Sequence, residues 1–385
     1  MSTPENSVRR YDLDLLRILA SLLLIPYHAA RIFYPHSYPY YIESQITSFP
    51  IELIINFIDQ WFMPIFFFIA GVAAKISLDT RSEKEYCLER LKRLFIPLVF
   101  GIFVLIPPIG YFAFLHHSPN IHLSYYQYYP LFFKVDFQHI DGYKGTFTPA
   151  HLWFIVYLFC FSLLTLPWFG YLKTRTGKDF IGKLANFLGQ NPKAIFLYAI
   201  PLSLARMLGV VYYNPVYCFL FFVLGYIFFL DKQFEESIDK NYRIAFSLAL
   251  IITVFYLYSR INEFALASSV LSGKNILIEA VLSLGTICWV IVILNLAKKY
   301  LNKSNWLIQY LNEASYPIYL IHITFVLPLG FYVIQWQTGI MMKFLFITFA
   351  SSIGVFLVYE IVLKRFNWTR VLFGMKLRMR NSIDA

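Results

Sequence analysis

The chain has 385 residues, of which 58% are hydrophobic and only 14% charged. A soluble domain carries about 25% charge, so most of these side chains face lipid or one another rather than water. The net charge of +11 does not point to nucleic acid here, because Lys and Arg of membrane proteins collect on the cytoplasmic side. Cys87, Cys160, Cys218 and Cys288 form no Cys-x-x-Cys pair, and three fall within apolar runs. They read as small buried hydrophobes, with no disulfide and no metal expected.

Apolar runs long enough to cross a bilayer need roughly 20 residues. Ten segments qualify in chain order: 13–33, 51–75, 94–115, 151–171, 193–210, 214–230, 243–260, 275–297, 315–335 and 342–363. The expected fold is therefore all-α, a polytopic membrane helix bundle of about ten transmembrane helices forming one domain over 1–380. The first segment follows Arg9 and Arg10 in the manner of a signal peptide, but Asp12, Asp14 and Arg17 interrupt it. An uncleaved first helix is the expectation. The fifth and sixth segments are short and separated by Tyr212-Tyr213-Asn214-Pro215, which also allows a single hairpin. With the N-terminus inside, 25 of the 33 Lys and Arg fall in inner segments and seven in outer ones, Arg17 lying within the first span. That alternation predicts both termini in the cytoplasm.

Ionisable groups inside a span are costly and need a reason. In the first segment Arg17 and His28 stand eleven residues apart, about 20° past three full turns and about 16 Å along the axis. They share a helix face, as a polar track through the membrane would require; a snorkelling Arg17 and a His28 bonded to a neighbouring carbonyl would give the same pattern. In the second, Asp59 precedes Pro64 and Gly71, which kink the helix or let a neighbour approach closely. The third opens on Arg90, Lys92 and Arg93, either an ordinary cytoplasmic flank or a phosphate clamp, since guanidinium forks match phosphate oxygens. The outer loop 116–150 carries His116, His117, His122, His139 and the run Tyr125, Tyr126, Tyr128, Tyr129: a sugar-stacking surface or a packed lid. His151 and Trp153 open the fourth segment, Glu279 lies early in the eighth, His322 inside the ninth and Glu360 near the end of the tenth.

Together these segments resemble acyltransferase family 3, the bacterial membrane O-acyltransferases. The resemblance rests on LDLLR with Arg17, ten residues and His28; on FFFIAG; on RLKRLFIPL; and on SYPIYLIH ending at His322. HLWF, LNEASYPIYLIH and the closing TRVLFGMK look closest to the branch of glucan-biosynthesis protein C. The resemblance implies an acyltransferase for groups other than amino-acyl groups, in the bacterial inner membrane. Its donor would be cytoplasmic acyl-CoA, bound as a substrate with no permanent cofactor. Its acceptor would be a periplasmic or cell-envelope carbohydrate hydroxyl, such as one on a glucan, receiving succinyl or acetyl.

A hydroxyl is a poor nucleophile, so an imidazole must take its proton as the thioester is attacked. On that footing the expected catalytic residues are His28 as base, with Arg17 and His322. Arg17 either pairs with Asp14 or guides the donor; His322 either orients His28 or polarises the thioester. Arg90, Arg93 and Lys92 are expected to hold the donor phosphates, and His151 and Trp153 the sugar. The competing class is a secondary transporter or exporter of an envelope precursor, in which His28, Asp59 and Glu360 relay protons.

Overall fold

The computed structural model describes residues 10–35, 40–136, 141–208, 214–261 and 273–378; His139 and Tyr212-Tyr213 lie outside them. Among these residues the chain is helical with no strands. Each of the ten expected segments coincides with helix. Among the described residues seven helices are long and apolar enough to cross a membrane alone: Tyr11–Arg31, Phe49–Thr80, Glu83–His117, Lys232–Ile261, Ile276–Tyr300, Trp306–Val333 and Ile340–Leu363. The fourth segment is a pair of helices bent by 45°. The fifth and sixth are the short helices Ala199–Met207 and Pro215–Phe228.

We name the helices used below in chain order: α1 (Tyr11–Arg31), α2 (Phe49–Asp59), α3 (Phe62–Thr80), α4 (Glu83–His117), α5 (Tyr125–Phe132), α6 (Trp153–Leu164), α7 (Leu166–Lys173), α8 (Arg175–Gln190), α9 (Pro215–Phe228), α10 (Lys232–Ile261), α11 (Gly273–Tyr300) and α12 (Trp306–Val333).

Proline explains the breaks. Pro64 has no N–H to give the Gln60 carbonyl, and the second segment is interrupted at Gln60–Trp61, between α2 and α3. In α4, five-residue π-helical stretches at Leu91–Phe95 and Gly101–Leu105 precede Pro97 and Pro107. Pro97 frees the Arg93 carbonyl, which accepts the Tyr316 hydroxyl at 2.8 Å. Pro107 frees the Phe103 carbonyl, which accepts Tyr129 OH at 3.0 Å. Thr165 bonds back to the Phe161 carbonyl at 2.7 Å where α6 turns into α7, a known way of bending a helix.

The chain divides into two compact units. The first comprises Met1–Ala20, Gln60–Lys75 and Tyr171–Asn312; the second comprises Ser21–Asp59, Ile76–Gly170 and Glu313–Ala385.

In the first unit α10 and α11 lie side by side, with the Trp289 indole donating to Thr253 Oγ1 at 2.9 Å. Helix α8 is amphipathic and was not expected as an element. Its buried residues Gly177, Ile181, Ala185 and Leu188 recur at helical spacing on one face. Helices α3 and α9 meet at two glycines. A Cβ on Gly71 would stand 1.9 Å from the Phe222 carbonyl oxygen, and one on Gly225 would stand 2.0 Å from that of Phe68. Small residues of this kind let membrane helices approach closely. Gly225→Val is therefore expected to force α3 and α9 apart and cost about 1–3 kcal/mol or more. A thermal melt of the detergent-purified protein checks this, and an unchanged midpoint would show that the two backbones are not in contact.

In the second unit α5 packs back on α4, the Tyr128 ring lying 5.4 Å from that of Tyr111. Ser124 caps α5 with a reciprocal bond pair to Gln127. Tyr128 is fully buried and donates to the Gly145 carbonyl at 2.5 Å, whereas Tyr126 is 88% exposed. The closing TRVLFGMK segment is also structural. The buried Arg370 pairs with Glu313 and donates to the Lys376 and Lys364 carbonyls. Gly374 adopts φ +62, with its Cα close over the Arg93 carbonyl, where a Cβ would come to 2.7 Å.

Candidate active site

Three histidines from three elements of the second unit converge. His28 comes from the last turns of α1, His151 from the short 3-10 turn Ala150–Leu152, and His322 from the middle of α12. The rings of His28 and His322 are 5.1 Å apart between centroids, and so are those of His151 and His322. His322 is wholly buried, His151 buried and His28 half-buried, so His28 is the most open member of the group.

Backbone carbonyls fix two of the three tautomers, because a carbonyl oxygen can only accept and the ring nitrogen facing it must carry the proton. His322 Nδ1 lies 2.7 Å from the Tyr319 carbonyl and must carry the proton there, leaving a lone pair on Nε2. His151 Nε2 lies 3.0 Å from the Leu320 carbonyl, leaving a lone pair on Nδ1. Among the described residues neither His322 Nε2 nor His151 Nδ1 has a hydrogen-bond partner, although both atoms are buried. Buried polar atoms normally find partners, and an unpaired one in a native site asks for a ligand or a proton to move.

The third imidazole is oriented by a side chain. His28 Nδ1 meets the Tyr40 hydroxyl at 3.0 Å. Tyr40 is itself buried beneath the Arg31 guanidinium, 5.3 Å from its ring, and packs against Tyr41 and Tyr143. His151 is clasped to α12 in both directions, since Tyr319 OH donates to the His151 carbonyl at 2.6 Å. The preceding Ala150 has φ +44, a left-handed conformation costing roughly 1–3 kcal/mol for a residue with a Cβ. That strain turns the chain so that His151 enters the cluster.

Helix α12 extends the site towards the basic end of α4. Tyr316, Tyr319 and His322 are spaced i, i+3, i+6, and so stand in file along α12 over about 9 Å. The rings of Tyr316 and Tyr319 stack at 6.2 Å with a 17° tilt, and Tyr319 lies 6.1 Å from His322. Tyr316 in turn bonds the Arg93 carbonyl, linking the histidines to the mouth of α4 through contacts within one unit. At that mouth the Arg90 guanidinium lies 4.5 Å over the Tyr86 ring, and its Nε is buried with no hydrogen-bond partner among the described residues. Arg93 pairs with Glu89 at 3.3 Å, and Lys92 is exposed.

The other expected residues fall elsewhere. Arg17 belongs to the first unit, where it bonds Asn312 and lies 3.5 Å from Asp14, the i, i+3 pairing anticipated for it. Trp153 is half-buried at the start of α6, with its ring 5.3 Å from Tyr157. The carboxylates a proton-relaying transporter would use are engaged: Asp59 accepts from Tyr27 OH at 2.6 Å, and Glu360 pairs with Lys364 at 2.9 Å. Glu279 pairs with Arg206. Tyr316 and Tyr319 were legible in principle, through their spacing with His322. Tyr40 was not, because it lies outside any periodic segment.

Comparison with known proteins places the chain in a family. Glucans biosynthesis protein C of Salmonella schwarzengrund strain CVM19633 is 24% identical over 379 residues, covering 92% of this chain and 92% of that protein. The protein of the same name from Escherichia coli strain K12 is 24% identical over 384 residues, covering 94% of this chain and 93% of its own length. No solved structure matches the chain. The family model for the acyltransferase domain matches residues 10–360, taking in both compact units and all three histidines. The chain is a multi-pass membrane protein and an acyltransferase, and it belongs to acyltransferase family 3.

Proposed function

We propose that this enzyme transfers a succinyl or acetyl group from cytoplasmic acyl-CoA to a hydroxyl of an envelope carbohydrate, such as a periplasmic glucan, in the bacterial inner membrane with both termini cytoplasmic. The observation that carries the reading is the convergence of His28, His151 and His322 at one end of the file that Tyr319 and Tyr316 continue to Arg93. The relatives named for glucan biosynthesis supply the acceptor class, and the donor follows from the basic mouth.

With His28 Nδ1–H donating to the Tyr40 oxygen, Nε2 carries the lone pair on the most open ring of the three. That nitrogen takes the proton of the acceptor hydroxyl as the oxygen attacks the thioester carbonyl carbon. The C–S bond breaks, the ester forms, and the imidazolium returns its proton to the departing thiolate, releasing CoA as the free thiol. His322 presents its Nε2 lone pair in the same cluster, its ring 5.1 Å from that of His28. At the other end Arg90, whose buried Nε has no partner among the described residues, and Arg93 and Lys92 hold the donor phosphates, while His151 and Trp153 border the acceptor side.

The test is direct. Purified protein given succinyl- or acetyl-CoA labelled in the acyl group, together with an oligoglucan, is expected to move label onto the glycan. Label that stays on CoA with both donors would overturn the reading. In the same assay Arg90→Ala combined with Arg93→Ala is expected to raise the donor KM at least about tenfold, since a hydrogen bond to a charged group contributes about 1.5–3 kcal/mol. An unchanged donor KM would reduce these residues to markers of topology.

A further inference from the structure

Glu43, His116 and His117 have no part in the acyl-transfer chemistry, yet they are brought together from distant parts of the chain. Glu43 follows α1, and the two histidines end α4. One ligand atom from each lies within 4.8 Å of the others, and all three residues are half-buried. The imidazole rings of His116 and His117 stand nearly perpendicular, 4.8 Å apart. Two imidazoles and one carboxylate form a donor set suited to zinc-class dications, which take three protein ligands and keep a fourth position for water. Calcium and magnesium would call for oxygen ligands instead.

The surroundings supply the outer contacts such a site needs. His117 Nε2 lies 2.6 Å from the Tyr40 carbonyl, so it carries the proton and leaves the Nδ1 lone pair for a metal. Ligating histidines usually donate their second N–H in this way. Glu43 Oε2 accepts the Tyr40 N–H at 3.3 Å, which leaves Oε1 for a metal, whereas His116 Nε2 accepts the Glu43 N–H at 3.3 Å, a bond the ion would have to displace to reach that lone pair. Zinc–ligand bonds of about 2.0–2.1 Å place tetrahedral ligand atoms roughly 3.4 Å apart. The ligand atoms, within 4.8 Å of one another, would have to draw together by about 1.4 Å to reach that spacing.

We propose that Glu43, His116 and His117 bind a zinc-class dication. The ion ties the segment after α1 to the end of α4 and fixes Tyr40, whose hydroxyl orients His28. This departs from the expectation of no metal: nothing in the sequence links Glu43 to histidines more than seventy residues away.

The experiment uses the full chain, purified in detergent with a tag free of histidine, stripped with chelator and titrated with zinc chloride. Bound metal is counted by mass spectrometry. Wild type is expected to retain about one zinc per chain, and Glu43→Gln or His117→Ala to weaken apparent affinity more than about tenfold. Zinc is also expected to raise the thermal midpoint of wild type and not that of Glu43→Gln. Should His117→Ala aggregate, the conservative Glu43→Gln decides. Retention well below about one zinc per wild-type chain, or equal retention in wild type and Glu43→Gln, overturns the proposal. Neither readout depends on acyl transfer, so failure here leaves the catalytic reading untouched.

Discussion

Replacing His28 with alanine is expected to abolish acyl transfer while the protein still inserts and accumulates normally. A positioned general base contributes about 10²–10⁴ in rate, and a sugar hydroxyl without one is a very weak nucleophile at neutral pH. The structural cost should be small by comparison, because His28 is only half-buried and its fixed bond is to a phenol rather than to backbone. Tyr40 keeps its contacts with Arg31, Tyr41 and Tyr143 in the variant. Activity is followed by transfer of labelled acyl group to glycan, and accumulation by immunoblotting of membranes. Loss of both signals together would mark His28 as a folding residue. A wild-type rate would remove it as the base and shift attention to the lone pair on His322.

How much of this was legible in the sequence depends on the distance over which the signal acts. Hydropathy is local, so all ten apolar segments are found as helix, including the two too short to span alone. The weak point was amphipathy diluted by charge. The stripe Gly177, Ile181, Ala185, Leu188 of α8 is visible at helical spacing, but Lys178, Asp179 and Lys183 made that stretch read as an inner loop. Arg17 and His28 could be placed on one face of α1 by arithmetic. Arithmetic along one helix could not show what they face across the bundle, and their partners proved to be Asn312 and Asp14 for one and Tyr40 and His322 for the other. The entry of His151 into the cluster depends on the left-handed Ala150, which alanine does not advertise. The tyrosine run after His122 shows the limit of composition. Aromatic residues suit a sugar platform and a packed lid equally: Tyr128 is buried and bonded to the Gly145 carbonyl, while Tyr126 is left 88% exposed.

His322 separates chemistry from architecture more sharply than any other residue, because its two nitrogens do different things. Nδ1 donates to the Tyr319 carbonyl within its own helix, whereas Nε2 is buried and unpartnered among the described residues. Asparagine carries an amide N–H close to the position of Nδ1 and nothing at the position of Nε2. His322→Asn should therefore keep the carbonyl bond, leave a modest cavity beside His28 and His151, and remove only the lone pair. We expect at least about a hundredfold fall in kcat with little change in donor KM, the signature of a group that acts in the transition state rather than in binding. If His322 served packing alone, the variant would lose thermal stability through the cavity and keep its turnover. Measuring kcat, donor KM and the melting midpoint on the same preparation distinguishes the two. An unaltered kcat would confine the proton chemistry to His28 and Tyr40, and leave the unpaired Nε2 without a catalytic role.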